Sequence, residues 1–159
     1  MKQLDVSLSL ILLLVVLGCH RQPDRTQSGA QERLNRAALL LDSNSIELVK
    51  IAHEPGRIEH PFQVTLDALV SGGTAQLLEV RGPALNPHSH DLANALRKAE
   101  VAKASWSGDV NWAVVLYDSK GKEVVRIGFD ESGRNGYVDS DAVHMSAGLL
   151  NWAQSVMPP

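Results

Sequence analysis

The 159 residues carry 15 Lys and Arg against 18 Asp and Glu, for a formal net charge of −3. The signs are interspersed, and no basic block or basic–aromatic alternation occurs, which excludes a nucleic-acid surface. The single cysteine excludes an internal disulfide, and all three tryptophans (Trp106, Trp112, Trp152) fall toward the C-terminal end, which therefore supplies much of the packing mass.

At the N-terminus, Met1 and Lys2 bring positive charge, partly offset by Asp5, and Leu8 to Leu17 is apolar apart from Ser9. An apolar run this short falls below the ~20 helical residues a bilayer core demands, and with its charged start it has the form of a secretory signal. The run closes on Val16-Leu17-Gly18-Cys19, which resembles the lipobox of bacterial lipoprotein signal peptides. Val16 stands where that family usually has Leu. The resemblance covers the first nineteen residues and implies cleavage before Cys19, with diacylglycerol on its sulfur and further acylation such as palmitate. Each buried lipid methylene contributes about 0.8 kcal/mol, so several acyl chains hold a protein durably. The resemblance also implies the cell envelope, and His20 after the cysteine, rather than Asp, implies the outer membrane on its periplasmic side if the source is Gram-negative. The expected organisation is a signal peptide over 1–18, a lipidated Cys19 and flexible tether over 19–29, and a single domain over 30–159.

The tether is polar, with Pro23 and Gly29 and no apolar face. Ser28 and Gln31 have capping-box spacing and predict a helix through about Ser43, with Leu34, Ala37, Ala38 and Leu41 as its buried stripe. Ile46, Leu48 and, less regularly, Val49 and Ile51 predict a strand over 45–52. Pro55, Gly56 and Pro61 then break regular structure. Val64, Leu66, Ala68 and Val70 alternate, predicting a strand that turns at Ser71-Gly72-Gly73 and pairs with a strand over 74–80; a helical reading of 62–80 stays open.

Residues 82–90 are expected as a loop, with Ser89 capping a helix from His90 to about Lys103. Leu92, Ala95, Leu96 and Ala99 would be its apolar face. Two strands follow over 111–118 and 122–130, with Trp112, Val114 and Leu116 on one face and Val125, Ile127 and Phe129 on one face. Tyr137 to Met145 is expected as a third strand. Ser146 would cap a last helix whose Leu149, Trp152, Ala153 and Val156 line up and which stops before Pro158. This order predicts an α+β fold: an antiparallel sheet ending in a three-strand meander, with helices packed on one face as a two-layer sandwich.

Chemistry is thinly signalled. His88 and His90 stand beside Asp91, and His53, Glu54, Glu59 and His60 form a second group. Zinc needs three or four such ligands converging, and Pro55 and Gly56 break the helix that H-E-x-x-H would require. The acidic, Gly-containing stretch 130–141 is calcium-like, but Arg134 occupies a ligand position and a hairpin accounts for Gly133 and Gly136. There is no G-x-S-x-G elbow, and Ser71-Gly72-Gly73-Thr74 lacks the following Gly-Lys of a phosphate loop. Arg126 interrupts an apolar strand, either as a plain outward-facing residue or as the centre of a sheet face that holds an anionic partner. The expectation is a membrane-anchored, non-catalytic binding domain without cofactor, whose partner is an envelope protein or small ligand. The alternative is a metal-binding protein or metal-dependent hydrolase using His88 and His90 with His53 or His60.

Overall fold

The computed structural model describes residues 29–54, 65–71 and 75–157. The signal, Cys19, the tether up to Ser28, Glu59, His60, the glycines of the Ser71-Gly72-Gly73 turn and Pro158 lie outside the described residues, and the tether's last residue, Gly29, opens the first helix. The chain forms helix α1 (Gly29–Asp42), strand β1 (Ile46–His53), helix α2 (Leu66–Val70), strand β2 (Gln76–Arg81), helix α3 (Asn86–Arg97) and strands β3 (Ala102–Lys103), β4 (Trp112–Asp118), β5 (Glu123–Phe129), β6 (Asn135–Val138) and β7 (Asp141–His144). Helix α4 (Gly148–Val156) ends it. All strands join one antiparallel sheet in the order β2-β1-β4-β5-β6-β7-β3. The α+β, antiparallel, two-layer architecture is the one its patterning predicts.

The core lies between the sheet and the three longer helices. Leu34, Ala37, Ala38 and Leu41 of α1 are buried, with Leu92 and Leu96 of α3 and Leu149, Trp152 and Ala153 of α4. They meet Val49 and Ile51 of β1, Val114 and Leu116 of β4, and Val125, Ile127 and Phe129 of β5. The strand residues occupy alternate positions, and the β4–β5 register sets Trp112 against Phe129, Val114 against Ile127 and Leu116 against Val125. Helix α1 packs along α3, and α3 along α4. Arg97 and Asp42 pair at the ends of α3 and α1.

Several local expectations are corrected. The strand expected over 62–70 is, where described, helix α2: Thr65 Oγ1 accepts from Ala68 N at 3.2 Å, and Leu66 and Leu69 are buried three apart while Ala68 is exposed. A side-chain cap and an i, i+3 pair outweigh the alternation. Strand β2 consequently pairs with β1. The 82–90 segment is a short 3-10 turn (Gly82–Ala84) followed directly by α3, because Pro87 suits a first helical turn. Ser89 therefore sits inside α3, its hydroxyl donating to Asn86 O at 3.0 Å. The helix stops at Arg97 rather than near Lys103, as the backbone turns left-handed at Glu100 (φ 50°). Residues 135–144 form two strands, so the meander runs one strand past the expected three. Ser146 is no cap: its hydroxyl donates to Lys98 O at 2.7 Å, tying β7 to the end of α3. Gln31 turns inward, accepting from Val101 N at 2.8 Å.

Candidate functional site

Among the described residues, the sheet face away from the long helices is only partly covered. Helix α2 lies there, with Leu66 and Leu69 against Ala52, Val110 and Ala113. Small residues allow that approach: a Cβ on Gly128 would fall 2.9 Å from both Leu66 Cδ1 and Val110 Cγ1. Beside α2 the face stays open as a groove of about 490 Å³. One wall is Thr65, Leu66 and Asp67, the floor is Glu123 and Arg126, and the other wall is Tyr137, Asp139 and Ser140.

Arg126 is held from several sides. Residues three apart on a regular strand face opposite ways. Here a register shift sets Glu123 against Tyr117 and Val125 against Leu116, leaving Val124 as the extra residue. This bulge puts Glu123 on the face of Arg126. Its carboxylate takes Arg126 Nε at 3.1 Å and Nη2 at 2.6 Å, and Asp67 of α2 takes Nη1. The Arg126 backbone N–H donates to Asp139 Oδ1 at 3.0 Å, and Asp139 N returns a bond to Arg126 O at 2.7 Å. Hydrogen bonding to Glu123 raises the guanidinium's pKa further, against the opposing effect of burial.

Asp139 is in turn paired with Arg33 of α1. Arg33 Nε lies 2.8 Å from Asp139 Oδ2 in a geometry too bent for a hydrogen bond, so charge holds this contact. Arg33 Nη2 adds Val138 O at 3.1 Å and Asp141. At the groove's rim Tyr137 donates to Trp106 O at 3.2 Å, with ring centroids 5.2 Å apart. Gly108 lets the indole fold back, since a Cβ there would sit 2.7 Å from it.

The arrangement corrects the reading of Arg126 as a cation presented to an anionic partner. Three of its five N–H donors are taken by this chain's own Glu123 and Asp67, which neutralise its charge. Three carboxylates line the groove against one guanidinium, and the Asp67 side chain is 85% exposed. The groove can therefore offer acceptors and an aromatic rim to a small polar ligand.

The histidines are dispersed. His53 stacks on Trp112 at 3.9 Å and 17°, and Trp112 stacks on Phe129 at 6.5 Å, making an aromatic row across β1, β4 and β5. Burial pushes the His53 pKa down, against the opposing pull of Glu131 and Glu54. His88 and His90 lie in the first turns of α3. At about 100° per residue they project to different sides of the helix. His90 Nε2 is 3.1 Å from Asn94 Nδ2. Among the described residues, no three His, Cys, Asp or Glu side chains gather as a metal-holding group. In the calcium-like stretch, the Asp130 carboxylate takes Ser132 Oγ at 2.7 Å and Asn135 Nδ2 at 2.7 Å. Partial burial would raise its pKa, but these bonds hold it below the usual range.

Sequence reasoning singled out Arg126 and missed Asp67, Glu123 and Asp139. The bulge has no residue signature, and the alternation around Asp67 predicts a strand. No protein-family model, curated protein or solved structure matches this chain.

Proposed function

We propose that this protein is a lipid-anchored lipoprotein of the bacterial cell envelope whose single domain binds a small cationic ligand, without catalysis, in the groove around Arg126. The lipobox-like Val16-Leu17-Gly18-Cys19 supports the anchor, with Cys19 as the site of lipid attachment and the membrane as first partner. Among the described residues no helix is long and apolar enough to cross a membrane, so attachment on this reading rests on the lipid. His20 favours the outer membrane, on the periplasmic side in a Gram-negative cell.

The observation that carries the binding reading is the open-face groove, whose acidic side chains are positioned before any ligand arrives. Asp67, Glu123 and Asp139 outnumber Arg126 in the groove and still exceed the guanidiniums by one when Arg33, paired with Asp139 from α1, is counted; Tyr137 adds a ring face at the wall. An amine is the group such a surface attracts, by charge and by the aromatic quadrupole.

Two measurements test the two halves. Mass spectrometry of protein taken from membranes should find an N-terminal peptide beginning at Cys19 with a diacylglyceryl addition. A free thiol there, or cleavage elsewhere, overturns the anchor. Titration of the full chain with spermidine should raise its melting temperature saturably, and Asp67→Asn should abolish most of the rise. An unchanged titration in that variant places any binding elsewhere and overturns the groove assignment.

A further inference from the structure

The two edges of the sheet are built differently. At one end β3 has two residues, Ala102 and Lys103, so the edge is short and carries a lysine, a common way to discourage further strand addition. At the other end β2 runs six residues, Gln76–Arg81, without Pro or Lys. Its pairing with β1 is continuous from Leu48↔Arg81 to His53↔Gln76, so no bulge turns the edge aside. Among the described residues no strand pairs with its outer side. Among the described residues Leu77, 45% exposed, is one of two large apolar side chains left open. A long, flat, partly apolar edge of this kind is a template for another strand.

The alternation along β2 identifies the strand that fits. Leu78 and Val80 point toward the core, while Leu77, Glu79 and Arg81 lie on the open face with Ala52, Lys50 and Leu48 opposite them. Two copies of β2 related by a two-fold axis through the sheet keep both faces matched only if the axis passes through a residue. An axis at Glu79 sets Glu79 against its own copy, and directly opposed like charges destabilise. An axis at Val80 brings Gly82 and Pro83 into the pairing, where the chain has already left the sheet. Axes at Leu77 and Leu78 avoid both, and of the two the Leu78 axis pairs more of the strand, residues 76–80 rather than 76–78. It sets Leu78 against Leu78, Gln76 against Val80 and Leu77 against Glu79, and joins the two apolar cores edge to edge. We propose that the β2 edge is a self-association surface, on which a second copy of this chain adds antiparallel and forms a continuous sheet centred on Leu78. The Leu77 methyls then lie along the Glu79 stem of the neighbouring copy, whose carboxylate stays bound to Lys50 at 2.9 Å.

The test uses the full chain in detergent, with micelles in excess over protein so that co-solubilised monomers do not imitate dimers. Sedimentation velocity should show a concentration-dependent dimer. Leu77→Glu places a carboxylate opposite Glu79 twice and should raise the dimer dissociation constant about ten-fold, whereas Leu77→Lys meets Glu79 favourably and should leave it no weaker. Equal weakening by both, or a wild type that stays monomeric throughout, overturns the proposal. Oxidative cross-linking is the second readout, because directly opposed strand residues lie within disulfide reach. Leu78→Cys should give a covalent dimer above any wild-type background, and Gln76→Cys should not. Cross-linking through Glu79→Cys in place of Leu78→Cys overturns it equally.

Discussion

The two faces of this sheet are written by the same strands and meet different fates. Toward the long helices, Val114, Leu116, Ile127 and Phe129 are fully buried. On the other side the same strands present Ala113, Val115 and Gly128, which are buried there too, and Tyr117 and Arg126, which are half-buried, with a helix of five residues as the main described element over them. Where α2 lies, the sheet offers Ala52, Ala113 and Gly128, so the short helix can approach closely. Beyond it the face is charged: Lys50 pairs with Glu79 at 2.9 Å and lies 5.8 Å from the Tyr117 ring centre. A close-lying helix demands small residues beneath it, and the remainder of the face keeps its charges paired among themselves. That remainder is where a ligand finds room.

If the covered face supplies most of the stability, truncating it should produce the largest loss. Phe129 is fully buried and sits opposite Trp112. Phe129→Ala should cost about 3–5 kcal/mol, a large share of the ~5–15 kcal/mol usual for a domain. A urea midpoint that barely moves would show that the aromatic row is not part of the packed core.

The open face should respond instead to added bulk. Gly128→Ala drives a methyl into Leu66 and Val110 and should cost about 1–3 kcal/mol. Leu66→Ala made in the same chain should recover part of that loss, because the two changes share one contact. Strictly additive costs would mean that α2 does not rest on Gly128.

How much of this was legible beforehand follows the same division. The covered face was readable because burial on one side enforces alternation: Trp112, Val114 and Leu116, then Val125, Ile127 and Phe129, fall where period two puts them. The stripe on α1 was readable for the matching reason at helical spacing. The open face was not. Its site depends on a one-residue bulge at Val124 that reverses the side on which Glu123 appears, and period-two reasoning gives the opposite answer there. Helix α2 was hidden because Leu66, Ala68 and Val70 alternate as well as any strand, while the deciding contact is Thr65 capping Ala68. Ser89 and Ser146 misled for a related reason: both hydroxyls donate to carbonyls and cap nothing.

Arg126 sharpens the comparison at smaller scale. Its pairs with Glu123 and Asp67 are partly exposed, so solvent screening discounts them heavily. The coupling between Arg126 and Glu123, from a double-mutant cycle with Arg126→Met and Glu123→Gln, should be about 0.5–1 kcal/mol and shrink in 1 M salt. A coupling of several kcal/mol, unmoved by salt, would place this pair in a buried environment and erase the contrast between the faces.

The smallest expected effect lies at the end of the aromatic row. His53 stacks on Trp112, and burial is the main cause of its lowered pKa, with Glu131 and Glu54 pulling the other way. The unfolded chain, with His53 near its ordinary 6.5, binds a proton more readily than the folded chain. Stability must then rise with pH wherever the unfolded state carries the extra proton. The contribution is fully present above pH 6.5 and is lost as pH drops from there toward the lower folded pKa, below which the loss levels off. His53→Phe keeps a ring on Trp112 and removes the titration. Its stability relative to wild type should therefore rise as pH is lowered from 7.5 to 5, because the other histidines are common to both chains and cancel. The comparison is made by urea unfolding at several pH values. A difference that stays flat over this range would show that the folded chain leaves His53 as free to protonate as water does. A difference of opposite sign would mean that Glu131 and Glu54 dominate over burial, and that the rim of the covered face is electrostatically part of the open one.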